Sequence, residues 1–147
     1  MITLAVYGTL KRGNWNHEHY CAGVTSVEEA VVRGRLYLLA SDIPILQVPD
    51  EDILAVGTCD PLADVATQAR FTEELAWTPT GNDRGWDWVR CELMTFSDAE
   101  RRLPRIDCLE GFRPGGVNLY RRVLLPVVRD SGATPAWCYV SDGASLQ

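Results

Sequence analysis

Apolar and polar residues alternate from the first position onward. Ile2, Leu4 and Val6 fall on one face and Thr3 and Ala5 on the other, the period-two signature of a strand. Residues 30–39 repeat the pattern, with Ala30, Val32, Leu36 and Leu38 opposite Arg33, Arg35 and Tyr37, and Gly34 marks a bulge or bend. A short strand over 45–48 follows Pro44. The period changes at Asp60 and Pro61, which start a helix running to about residue 76 with Leu62, Val65, Ala66 and Ala69 on one stripe. Alternation returns over 86–95, with Asp87, Val89, Cys91 and Leu93 facing away from Trp86, Trp88 and Arg90. The two tryptophans are read as packing rather than as a ligand-stacking surface.

Ser97 with Glu100 three residues later has the form of a capping box, so a helix starts there. Pro104 lacks the N–H that a helix interior needs, which predicts two short helical pieces between residues 98 and 110, ended by Gly111. Gly115 and Gly116 turn the chain into a strand over 120–129 that presents Val123, Leu125 and Val127 to the core. Asp130, Ser131 and Gly132 form a hairpin turn into a last strand over 135–140. Strands outnumber helices and connect mostly antiparallel. The expected fold is α+β: a small, mostly antiparallel curved sheet or barrel with short flanking helices.

At 147 residues the chain has the length of a single domain. Its net charge of −6 argues against nucleic acid and anionic lipid as partners, and Arg101, Arg102 and Arg105, within two turns of one helix, read as a solvated face. No apolar run is long enough to cross a bilayer as a helix, and the start lacks a secretory pattern, so a cytoplasmic location is expected. Cys21, Cys59, Cys91, Cys108 and Cys138 are scattered and odd in number, which reads as reduced thiols that mostly fill the core.

Several chemistries fail on spacing. Gly8 and Gly13 are separated as in a phosphate-binding loop, but Asn14 and Trp15 stand where Lys and Ser or Thr are required. His17, His19 and Cys21 lack a fourth ligand and a second cluster, so neither a metal nor another cofactor is expected. The two histidines have no nucleophile motif to serve. Glu110 remains. On a continuous helix it lies about 20° from Leu103 and about 40° from Ile106, on the apolar side. Desolvation there raises a carboxyl's pKa and suits it to proton exchange near neutrality. The other reading is a helix-end carboxylate paired with Arg105 or Arg113, and pattern alone leaves both open.

The run VYGTLKRG at 6–13, with Asn16 and His17 after it, resembles the strand-loop signature of the gamma-glutamylcyclotransferase family, including its gamma-glutamylamine and AIG2-like branches. GRLYLL at 34–39, the 42–46 segment, ELM at 92–94, IDCLEGF at 106–112 and YRRVLLPV at 120–127 resemble later family segments in the same order. Cys91 stands where the family commonly has glycine. The resemblance implies the barrel form of the fold and intramolecular aminolysis of a gamma-glutamyl amide, giving 5-oxoproline and an amine without metal or cofactor. It implies Glu110 as the catalytic acid–base group, with backbone groups of Tyr7, Gly8, Thr9 and Leu10 holding the glutamyl end. Tyr120 would support Glu110 or the substrate, and Asp107 the helix or a neighbouring hydrogen bond. Residues 49–85 read as an insertion within the single domain, a place for amine specificity. The competing class is a non-catalytic small-molecule-binding protein on the same scaffold.

Overall fold

A computed structural model describes residues 1–7, 21–39, 43–75, 85–113 and 120–142. In chain order its elements are β1 (Ile2–Val6), β2 (Ser26–Leu39), β3 (Ile43–Gln47), a 3-10 turn (Asp50–Asp52), β4 (Ala55–Val56), α1 (Pro61–Glu74), β5 (Asp87–Phe96), α2 (Ala99–Glu110), β6 (Tyr120–Arg129) and β7 (Gly132–Ser141). Strands β2, β5, β1, β7 and β6 follow one another around a barrel that the pair Val31↔Val128 closes. All its pairings are antiparallel except β1 with β7, which run parallel with Leu4 opposite Trp137. The expected α+β barrel is the fold observed.

Alternation serves two cores. Ala5, Ala30, Val32, Cys91, Leu93, Val123, Leu125, Val127, Ala136, Cys138 and Val140 fill the barrel. Most are small, as a lumen of five strands demands. The opposite faces, with Ile2, Leu4, Val6, Met94, Phe96, Leu124 and Trp137, pack beneath Leu103 and Ile106 of α2. Those two helix residues are fully buried, each worth about 1.5–3 kcal/mol on transfer from water, which holds in place a 12-residue helix that would be marginal alone.

Five expectations are corrected. First, α2 is one helix through Pro104 rather than two pieces. The proline leaves only the Glu100 carbonyl without its helical donor, and both residues are exposed, so water can supply one. Second, the cap is Asp98, with no side-chain cap bond, because its carboxylate is held by the Arg102 Nε and Nη2 at 2.9 Å each. Third, Arg102 is consequently buried, stacked 4.4 Å over Phe96, and leaves the solvated face to Arg101 and Arg105.

Fourth, Leu36 and Leu38 are exposed, because β2 leaves β5 after Gly34↔Asp87 and continues as a two-stranded arm with β3. Nor do the tryptophans join either core: Trp88 is exposed, and Trp86 carries the Arg35 guanidinium 4.9 Å over its ring. Fifth, α1 starts at Asp60 as expected, its side chain accepting from the Leu62 and Ala63 N–H groups, but it buries Asp64 and Gln68 while Leu62 points to water. The Gln68 Oε1 accepts from the Thr3 N–H at 2.8 Å, so a polar face docks on the edge of β1. Cys21, Cys91 and Cys138 are buried and Cys59 and Cys108 exposed, all as free thiols. No helix among the described residues is long and apolar enough to cross a membrane.

Candidate active site

Glu110 is the last residue of α2. Gly111 adopts a left-handed φ of 70°, and the Phe112 N–H returns to the Asp107 carbonyl at 2.9 Å. Phe112 is buried in the layer beneath the helix, so the chain reverses at a fixed point and the Glu110 side chain stays partly buried. Burial and, after it, the charge of Asp107 push the Glu110 carboxyl up to about 7. No arginine among the described residues offsets them, which disfavours the helix-end ion pair as its role.

The Glu110 charge is felt in turn by Tyr7 after β1, Tyr120 at the head of β6, Cys138 and Tyr139 on β7, and Cys21. These groups gather at one end of the barrel, where β1 stops and β6 begins. Burial first, with the Glu110 charge behind it, pushes the Tyr120 phenol up to about 12. Burial likewise pushes the Cys21 thiol up to about 11, so both stay neutral at neutral pH.

Three phenols fix this end of the molecule. The Tyr7 hydroxyl donates to the Tyr139 carbonyl at 2.6 Å and accepts from the Leu46 N–H at 3.2 Å. The Tyr120 hydroxyl donates to the Pro44 carbonyl, so its donated bond goes to β3 rather than to Glu110. Pro44 and Leu46 have the same parity on β3, so two tyrosines occupy the strand edge that β2 leaves unpaired and hold the arm against the barrel end. The Tyr139 hydroxyl donates to Asp107 Oδ1, and Arg122 donates to the same carboxylate through Nε (2.9 Å) and Nη2 (3.1 Å). Asp107 therefore anchors the last turn of α2, as the sequence suggested.

Of the residues singled out beforehand, the structure brings Glu110, Tyr7 and Tyr120 to one place. Gly8, Thr9 and Leu10 lie outside the described residues, as do Asn16 and His17. For Tyr7 the observed contacts belong to the side chain, whereas the resemblance implies a backbone role. Sequence reasoning missed Tyr139, Asp64 and the buried role of Arg122. Arg122 did carry a signal: it stands between Tyr120 and Leu124 on one face of a strand whose middle, Val123 to Val128, is apolar on both faces, where a cation must find a carboxylate.

Comparison with known families yields a match to the model of gamma-glutamyl cyclotransferase, AIG2-like, over residues 4–70 and 61–147. The two matched stretches overlap within α1. No curated protein matches the chain. Barrel, ordered motifs and family model agree, and the chain belongs to the gamma-glutamyl cyclotransferase, AIG2-like family.

Proposed function

We propose that the protein cyclises a gamma-glutamyl amide to 5-oxoproline and a free amine, with Glu110 as its acid–base group. The observation that carries this reading is a partly buried carboxyl raised to about 7, whose charge reaches Tyr7, the residue that precedes Gly8 in the chain. Glu110 takes a proton from the substrate's alpha-ammonium group. The freed amine attacks the gamma-carbonyl, Glu110 returns its proton to the departing nitrogen as the amide C–N bond breaks, and the second proton of the former ammonium passes from the ring nitrogen to the departing amine, which leaves as its ammonium ion. Nucleophile and electrophile belong to one molecule, so the protein's task is to hold it curled and to move protons from one nitrogen to the other, with no call on metal, nucleotide or covalent intermediate. In this reading backbone groups of residues 8–10 hold the glutamyl end, while β3, tied down by Tyr7 and Tyr120, walls the site. Free thiols on every cysteine suit the reducing cytoplasm.

The test is incubation with a panel of gamma-glutamyl amides bearing neutral, cationic and peptidic amines. Equimolar 5-oxoproline and amine from at least one of them is the expected result. Tight binding across the panel without turnover would instead make the protein a binder on this scaffold.

A further inference from the structure

Arg122 projects from β6 into the layer between barrel and helices, with 1% of its side chain exposed. Its guanidinium is shared. Nε and Nη2 engage Asp107 on α2, Nη1 donates to Asp64 Oδ2 on α1 at 2.8 Å, and Nη2 also donates to the Thr58 carbonyl at 2.9 Å. Asp64 is as deeply buried as Arg122 and accepts from the Thr58 hydroxyl at 2.9 Å and the Thr58 N–H at 3.1 Å. Gly57 admits this arrangement, since a Cβ there would lie 2.7 Å from Arg122 Nη1 and 2.8 Å from Cζ. Two carboxylates on one cation leave the cluster with a net negative charge beside Glu110.

Among the described residues, the groups whose charge couples to that of Glu110 are Tyr7, Tyr120, Tyr139, Cys21, Cys138 and Asp107. The phenols and thiols are neutral near pH 7, which leaves Asp107 as the one charge among them. How strongly Asp107 acts depends on how far Arg122 neutralises it, and Asp64 competes for the same guanidinium. We propose that Asp64 on α1 is a positioning residue for the acid–base step, setting through Arg122 how much of the Asp107 charge reaches Glu110. A purely structural role is already available to α1 in the uncharged contact between Gln68 and Thr3. The proposal rests on the reading of Glu110 as the acid–base group, but its test needs no turnover.

The test follows the Glu110 carboxyl carbon by NMR against pH in the full chain without substrate, with Glu110→Gln assigning the resonance and amide spectra confirming folding. Asp64→Asn removes the competing charge, lets Arg122 neutralise Asp107 more fully, and should lower the Glu110 midpoint by about half a unit or more. Thr58→Val removes the hydroxyl that donates to Asp64 with no change of charge, leaves Asp64 to draw more on Arg122, and should raise it. Gln68→Ala, which loosens α1 without touching the cluster, should leave it in place. Opposite shifts from the first two variants support the proposal. No shift, or shifts of one sign, overturn it, and if Asp64→Asn does not fold, the absence of a rise in Thr58→Val does so alone. Failure here leaves the role of Glu110 standing, because that role is judged by 5-oxoproline release.

Discussion

At Glu110 two influences act in the same direction: burial disfavours the carboxylate, and Asp107 one turn away repels it. A carboxyl titrating near 7 accepts a proton from an ammonium and returns it to a leaving amine with little mismatch at neutral pH. Glu110→Gln keeps the shape and removes the proton exchange. Its rate of 5-oxoproline formation should fall by about 10²-fold or more while ligand affinity stays close to wild type. Stopped assays together with calorimetric binding of 5-oxoproline would check both, and a near-normal rate would remove Glu110 from the mechanism. Asp107→Asn should move the Glu110 midpoint down toward the ordinary carboxylate range, because it deletes the second influence.

Among the elements, β3 depends on hydroxyls that belong to other strands. Tyr7→Phe leaves the Leu46 N–H without its acceptor and the Tyr139 carbonyl without its donor, which should cost about 1–3 kcal/mol. Faster hydrogen exchange at Leu46, with exchange in the β6–β7 hairpin unchanged, is the expected outcome. Tyr120→Phe should loosen the same arm through Pro44. Where alternation was strict the elements were legible: β6 and the turn at Asp130 and Ser131 stand where the pattern put them. The start of α1 was legible too, since Asp60 before Pro61 is a cap with local chemistry. The buried face of α1 was not, because Asp64 and Gln68 are buried by partners on β6 and β1 rather than by their own apolarity. Leu36 and Leu38 misled for the converse reason: the strand pattern continues after the barrel that would bury them has ended. Glu110 was legible because its position relative to Leu103 and Ile106 is fixed within one helix. Tyr139, Arg122 and Asp64 meet only through tertiary packing, and no local spacing announces them.

For the molecule as a whole, the raised carboxyl sets a direction for stability against pH. Folded Glu110 holds its proton up to about 7, while the unfolded chain releases it near the ordinary value of 4.5. Between those values the folded state binds the extra proton, so stability contributed by this group falls as pH rises through the window. Glu110→Gln has nothing to lose there. It should match wild type below the window and be more stable above pH 7, by about 3 kcal/mol at most, in denaturant titrations at about pH 3.5 and pH 8. Equal stability at both pH values would mean that the carboxyl is not desolvated in the folded protein. The same proton links stability to catalysis, and the pH dependence of 5-oxoproline release from a gamma-glutamyl amide under kcat/KM conditions tests that link most directly. A low-pH limb with its midpoint near 7, absent from any residual activity of Glu110→Gln, is the result predicted. A rate flat from pH 5 to 8, or the same limb retained in Glu110→Gln, would contradict it.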